Sequence, residues 1–215
     1  MASRVGVAVL LLAVAVITVG SASAQQPPTG TAMYVVRQDM RLCPSPLCGG
    51  YWVALANAAR TRCQDGLRRP RCYVARALDT KGGAITGIEE GALVRGAIDL
   101  GRDDLGELRV AAVYDPAGKA APTGGWYRLA DNGIRCVRAP CFSTTVAQVN
   151  GKTRTPVSSV DLAASGATAA EVARASRAVA TKDGLYARGR FGRTADGGTV
   201  FRTLRLYLRA PLPPA

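Results

Sequence analysis

The run CPSPLC at residues 43–48 has a counterpart in CVRAPC at residues 136–141, 93 positions further along the chain. Other identities keep the same offset. They are Tyr34 with Tyr127, Asn57 with Asn150, Gly91 with Gly184, Arg95 with Arg188, Gly96 with Gly189, and Tyr114 with Tyr207. Identities in register at one fixed offset indicate an internal repeat. The sequence therefore predicts a tandem duplication, with unit one at residues 31–115, a linker at 116–125 and unit two at 126–215.

The two units share an order of strand-like segments. In unit one, β-branched and apolar residues predict strands at 33–37, 51–55, 72–78, 92–100 and 107–114. In unit two the corresponding segments are 126–129, 144–149, 185–191 and 199–208, and good helix formers predict a helix at 167–180, capped by Thr168 or Ser165. We therefore expect a strand-rich α+β fold, a tandem duplication of a small β-sheet or OB-like barrel unit with the order β-β-β-α-β-β.

The N-terminus has the three parts of a secretory signal. Arg4 precedes an apolar run at 5–19, and Ala22-Ser23-Ala24 then supplies a cleavage site of small residues. This pattern predicts a signal peptide at 1–24 and a flexible leader at 25–30. The apolar run is too short for an ordinary membrane-spanning helix. We expect an exported protein, periplasmic or extracellular.

All six cysteines follow the predicted cleavage site, and an even number of cysteines in an exported chain favours disulfides. Two pairs, Cys43 with Cys48 and Cys136 with Cys141, bracket four residues each, which leaves Cys63 and Cys72. Three local bridges are the simplest pairing. The alternative is a zinc site made by the two Cys-x4-Cys pairs, but the chain has no histidine and exported thiols are oxidised. We expect no metal and no cofactor.

A longer motif surrounds the first cysteine pair. It comprises CPSPLCGGYWV at 43–53, Asn57, TRCQDG at 61–66 and CYVA at 72–75. With this motif, the chain resembles the bacterial domain-of-unknown-function family 6748, mainly over residues 32–114. Unit two keeps only the Cys-x4-Cys half of the hallmark, since Phe142-Ser143 replaces Gly49-Gly50. The resemblance implies an exported protein with paired cysteines and carries no activity.

The residue types available for catalysis are few. Without histidine, imidazole cannot serve as a base or as a partner of a nucleophile. Carboxylate pairs remain at Asp103-Asp104 and Glu89-Glu90, but both fall where solvated turn acids are expected. Thr80-Lys81 and Thr181-Lys182 are sequence neighbours, which rarely face each other. The sequence therefore predicts a protein that is not an enzyme.

Charge points to a class of partner. The net charge is +13, and unit two carries 14 basic and 5 acidic residues. Alternation in the last two strands of unit two places six basic and aromatic side chains on one face, and their apolar neighbours on the other. The six are Tyr186, Arg188, Arg190, Arg205, Tyr207 and Arg209. We expect this face to be solvent-exposed and to bind polyanions such as anionic envelope polymers, lipid head groups or nucleic acid, unless the arginines merely occupy the wet side of a strand.

The cysteine-closed loops suggest a different function. A short, proline-containing loop loses little entropy when it binds a partner. Arg138 in unit two could enter the specificity pocket of a trypsin-like protease, and Leu47 is the corresponding candidate in unit one. The alternative function is therefore a protease inhibitor or another partner-binding module, and the plainest reading is that both disulfides only hold hairpin tips together.

Overall fold

The computed structural model describes residues 31–212, so the predicted signal peptide and leader lie outside the described residues. Unit one has eight strands. They are β1 (Ala32–Gln38), β2 (Tyr51–Leu55), β3 (Thr61–Arg62), β4 (Arg68–Arg69), β5 (Cys72–Asp79), β6 (Ala84–Ile85), β7 (Leu93–Leu100) and β8 (Gly106–Ala117). Within residues 31–212, no helix is long and apolar enough to cross a membrane.

Unit two, described as far as residue 212, has six strands and one α-helix. They are β9 (Gly125–Asp131), β10 (Thr144–Gln148), β11 (Arg154–Val157), β12 (Ser159–Asp161), α1 (Ala169–Val179), β13 (Leu185–Arg193) and β14 (Thr199–Ala210). Short 3₁₀ turns lie at Arg102–Asp104 and Ala163–Ser165. The bounds of β9, β10 and β14 equal those of β1, β2 and β8 displaced by 93 residues.

Unit one closes into a five-stranded barrel. β1 pairs with β2 and β7, β2 pairs with β5, β5 runs parallel to β8, and β8 pairs with β7. Inward-facing Val36, Val53, Val74 and Leu108 fill the interior. The predicted strand-rich α+β fold, built on a small OB-like barrel, is confirmed.

Unit two closes in the same order, with its third strand broken into two pieces. β9 pairs with β10 and β13, β10 pairs with β11, and β12 runs parallel to β14. Ser158 lies between β11 and β12, and both its backbone N–H and its hydroxyl donate to the carbonyl of Thr199. The break therefore leaves the barrel wall connected.

Helix α1 lies close to the predicted segment 167–180, and Thr168 is its cap. The Thr168 hydroxyl accepts from the Glu171 N–H, and the Glu171 carboxylate accepts from the Thr168 N–H at 2.8 Å. The order β-β-β-α-β-β is wrong for unit one, which has β6 and turns at this position. Its segment 80–91 contains four glycines, and Gly82, Gly87 and Gly91 have positive φ, a conformation incompatible with an α-helix.

The two barrels share one sheet. β8 pairs antiparallel with β14, and Asp115 lies opposite Leu208, the residue 93 positions later. A local twofold axis therefore passes between these two residues and exchanges the units. Asp115, Pro116 and Ala117 belong to β8, which pairs with β14 at the centre of the sheet, and β9 begins at Gly125.

Besides the barrel interiors, an apolar cluster lies between the two barrels. Its buried members are Met33, Ala56, Leu93, Ala112 and Tyr114 from unit one, with Val149, Tyr186 and Tyr207 from unit two. The rings of Tyr114 and Tyr186 contact each other with centroids 4.6 Å apart. The two units therefore share one buried apolar cluster between their barrels.

Two asparagines join the barrels reciprocally. The Asn57 amide donates to the carbonyls of Trp126 and Val149, and its oxygen accepts from the Trp126 N–H at 2.9 Å. Asn150 does the same for Met33 and Ala56 of unit one. Both asparagines have positive φ, a conformation that this residue tolerates better than most. Each unit therefore satisfies backbone groups of the other.

Candidate ligand-binding groove

The predicted polyanion face of unit two does not form a single exposed surface. Tyr186 is 8% exposed and Tyr207 is 3% exposed, both within the cluster that joins the barrels. Their expected solvent orientation is wrong, because β14 lies between β13 and β8 and unit one covers this face. The alternation of residues within unit two could not show that unit one buries this face.

The four arginines of that set have separate surroundings. Arg188 donates to the carbonyls of Ala121, Pro122 and Gly124, and burial lowers its pKa. Arg205 lies opposite Arg188, and its Nε is buried without a hydrogen-bond partner. Arg209 forms a 2.6 Å ion pair with Asp183, and Arg190 is exposed. Polyanion binding by this set stays a prediction.

Three disulfides join Cys43 to Cys48, Cys63 to Cys72 and Cys136 to Cys141, the pairing that the spacing predicts. The Cys43–Cys48 and Cys136–Cys141 disulfides each enclose four residues and close the loop between the first two strands of their barrel. Both candidate partner residues of these loops are accessible, because Leu47 is 60% exposed and Arg138 is also exposed.

An aromatic and basic row crosses the outer face of unit one. Arg37 of β1 lies opposite Trp52 of β2, which lies opposite Tyr73 of β5. The equivalent row of unit two contains Ala130, Thr145 and Pro156. The row is therefore a property of unit one, although unit two carries the larger charge.

Trp52 is fixed by its neighbours. Its indole N–H donates to Asp39 at 3.2 Å, and its ring lies 5.5 Å from that of Tyr73. The guanidinium groups of Arg41 and Arg71 lie over the indole, 5.0 and 5.2 Å from the ring centroid. Arginine over tryptophan is a favourable cation–π arrangement that also presents a planar cation.

Asp39 orients Arg41. The two side chains form a bidentate ion pair, and the hydrogen bond from Arg41 lowers the pKa of Asp39 to about 2. Arg41 also donates to the carbonyl of Leu47, while the Tyr73 hydroxyl donates to that of Pro46. These contacts fix the loop closed by Cys43 and Cys48 against the aromatic row.

Trp126 reaches the same region from unit two. Its backbone is bound by Asn57, its indole N–H donates to the Tyr207 hydroxyl, and Arg188 lies 4.2 Å from its ring centroid. Trp126 and Trp52, the two tryptophans of the chain, line one open groove of about 540 Å³. The other lining residues are Val35, Arg37, Ala54, Leu55, Asn57, Ala58, Ala59, Pro70, Arg71 and Gly124.

The groove is basic. Arg37 and Arg71 are its charged lining residues, and none of the carboxylates within 31–212 lines it. Arg37 lies 3.8 Å from Glu90 in an exposed ion pair, which leaves it accessible to another anion. Sequence reasoning missed this site because Trp126 enters it only through packing between the units. The motif containing Trp52 and Tyr73 was visible, but no local pattern pairs Trp52 with Trp126.

The carboxylates that the sequence offered for catalysis are not among the groove-lining residues, although Glu90 pairs with Arg37 beside the groove. Asp103 and Asp104 are exposed in a 3₁₀ turn, and Glu89 and Glu90 are also exposed. Burial and the charge of Asp115 raise the pKa of Glu89. Among residues 31–212, no three acidic, cysteine or histidine side chains are grouped to hold a metal ion.

Fold and groove together define a disulfide-bridged protein of two fused five-stranded barrels, with a groove of tryptophan and arginine beside their junction. The chain belongs to the family described as Domain of unknown function (DUF6748), which matches residues 32–211. The match spans both barrels, so it extends well beyond the 32–114 segment of the predicted resemblance. No curated protein and no solved structure matches the chain.

Proposed function

We propose that this protein is an exported, non-catalytic binding module that holds an anionic polysaccharide of the cell envelope or extracellular space in the Trp52–Trp126 groove. The observation that carries the proposal is the convergence of both tryptophans on one groove whose charged lining residues, Arg37 and Arg71, are cationic. Indole rings offer flat apolar faces to sugar rings. Arginine pairs with carboxylate, phosphate or sulfate groups through its planar fork of donors.

Preorganisation favours binding at this groove. Asp39 and Tyr73 position Trp52, while Asn57 and Tyr207 position Trp126. A ligand therefore meets rings that are already held in place, so little side-chain entropy is lost on binding. Five-stranded barrels of this type bind oligosaccharides and oligonucleotides on the outer face of their second and third strands. The groove shares the second of these strands, through Trp52 and Ala54 of β2.

Export and the lack of catalysis remain parts of the proposal. Export is supported by the signal-like N-terminus and by three disulfides, which persist in oxidising compartments. The absence of histidine from the whole sequence supports a binding function over acid–base chemistry.

Intrinsic fluorescence tests the proposal directly, because both tryptophans line the groove. Heparin serves as the polysaccharide probe at about 50 and 200 mM salt, a range over which affinity for polyanions falls steeply. We expect a fluorescence change on binding and a roughly tenfold weaker Kd for Trp52→Ala. Thr145→Ala, the change at the equivalent position of unit two, is the matched control and should bind like the wild type.

Other outcomes of that titration separate the alternatives. Equal affinity of the wild type and Trp52→Ala would contradict the groove as the binding site. Binding of single-stranded DNA but not of heparin, with the same loss in Trp52→Ala, would retain the groove and replace the polysaccharide with nucleic acid.

A second candidate function is supported by the loop of unit two. Val137 is 103% exposed and Arg138 is exposed, within a loop closed by Cys136 and Cys141. Such a loop could present Arg138 to a trypsin-like protease. We expect this function, if present, to give micromolar or tighter inhibition of trypsin that disappears in Arg138→Ala. A wild-type protein that leaves trypsin fully active excludes it.

A further inference from the structure

The loop between β1 and β2 projects apolar side chains into solvent. Leu42 is 103% exposed, Met40 is 81% exposed and Leu47 is 60% exposed. We call these three residues the apolar tip. Among residues 31–212, nine large hydrophobic side chains are exposed. Three of the nine lie within the eight residues 40–47. Exposed hydrophobic residues that occur singly are ordinary, but a concentration of them in one short loop indicates an interaction surface.

The tip is held rigidly in place. The Cys43–Cys48 disulfide closes the loop, Arg41 donates to Asp39 and to the Leu47 carbonyl, and the Tyr73 hydroxyl donates to the Pro46 carbonyl at 2.7 Å. The loop could not turn the three side chains inward without breaking these contacts. Their exposure is therefore built into the loop.

The size and surroundings of the tip identify its partner. Three projecting side chains cover far less than the roughly 800 Å² that each side of a stable protein interface buries. Arg71 lies over Trp52 at the base of the loop, Arg37 lies across from Trp52, and both are exposed cations. A small apolar projection beside exposed cations fits a lipid bilayer with an anionic surface.

We propose that the apolar tip of unit one inserts into the interfacial region of an anionic membrane and docks the protein there. Met40, Leu42 and Leu47 bury their side chains among the acyl chains nearest the surface, while Arg37 and Arg71 face the anionic head groups. The three tip residues do not line the polysaccharide groove, so they can be replaced without altering it. Arg37 and Arg71 do line the groove, and head groups and polysaccharide therefore compete for these two cations.

Vesicle sedimentation tests the docking. The probes are vesicles of phosphatidylethanolamine and phosphatidylglycerol at about 3:1, and vesicles of phosphatidylcholine alone. We expect the chain without its predicted signal peptide, residues 25–215, to sediment with the anionic vesicles. The double variant Leu42→Glu, Leu47→Glu should reduce this binding by at least about tenfold, because two side chains lose their apolar burial and add like charge.

The control makes the same change elsewhere. The double variant Leu100→Glu, Leu212→Glu also replaces two exposed leucines and adds two negative charges, and it should bind within about twofold of the wild type. Equal loss in both double variants, or no sedimentation of the wild type with anionic vesicles, would overturn the proposal. The heparin affinity of the Leu42→Glu, Leu47→Glu variant is measured in parallel. If the variant still binds heparin like the wild type, the groove proposal stands whatever the vesicles show.

Discussion

At the scale of single residues, repeated identities have the same backbone function in both barrels. Asn57 and Asn150 each have positive φ and each bind two carbonyls of the opposite unit. Gly91 and Gly184 share positive φ. Side-chain amides and small residues are therefore repeated where the backbone of both units requires them.

Loss of the Asn57 side chain should destabilise the whole protein. Asn57→Gly keeps the positive φ and removes three hydrogen bonds, which leaves backbone groups of Trp126 and Val149 without partners. We expect the free energy of unfolding in urea to fall by roughly 2–4 kcal/mol. Asn150→Gly should cost a similar amount. A change below about 0.5 kcal/mol in both variants would contradict the assigned role.

Asp39 should give the protein a pH-dependent stability. Its pKa is lowered from 3.8 to about 2, mainly by the hydrogen bond from Arg41, so the ionised form favours the folded state. This contribution is present above about pH 4 and is lost as the pH falls towards about 2. Thermal unfolding across this range should show a smaller pH dependence in Asp39→Asn than in the wild type. Identical slopes would mean that the ion pair does not stabilise the fold.

At the scale of elements, the local sequence pattern predicted a strand correctly where that strand packs only within its own barrel. The strand-like run 51–55 predicted the bounds of β2, and the spacing of Cys43 and Cys48 predicted a disulfide. Prediction failed where another unit covered the strand, as at Tyr186 and Tyr207. It also failed in the glycine-rich segment 80–91. Long-range packing decided both cases.

Bulges in β7 and β13 explain the repeated Arg-Gly pairs. The register shifts between Arg95 and Gly96 and between Arg188 and Gly189. A Cβ at Gly189 would lie 2.4 Å from the Arg202 carbonyl oxygen and 2.5 Å from the Phe201 ring. The glycines therefore permit the close approach of adjacent strands.

Gly189→Ala should therefore destabilise unit two. The added methyl group forces β13 away from β14, and we expect a loss of roughly 2–4 kcal/mol in the free energy of unfolding. Gly192→Ala in the same strand is the control, since its nearest contact would be a Val200 methyl group at 3.3 Å. It should cost less than about 1 kcal/mol. Equal losses in the two variants would point to strand propensity instead of the close approach.

At the scale of the whole molecule, the local twofold axis makes one chain resemble a dimer. The sheet order is the same from either end of its central pair: β8, β7, β1 and β2 on one side, and β14, β13, β9 and β10 on the other. The candidate groove depends on this arrangement, because Trp126 crosses from unit two to unit one. The proposed binding site therefore requires both barrels.

Unit one produced alone, as residues 31–122, should form a homodimer. Separation exposes β8 and the buried residues Leu93, Ala112 and Tyr114, and a second copy of β8 can take the place of β14. Light scattering coupled to size-exclusion chromatography should give twice the monomer mass at micromolar concentration. A folded, monomeric unit one would show that the shared core is dispensable.

The axis between Asp115 and Leu208 has an evolutionary consequence. In a true homodimer, every substitution occurs twice, so a residue that benefits one subunit is imposed on the other. Two covalently linked halves escape this constraint. The Cys63–Cys72 disulfide and the Arg37–Trp52–Tyr73 row occur only in the first half. Helix α1 occurs only in the second half. Linkage thus allows the two halves to carry different side chains and different local elements on similar barrels.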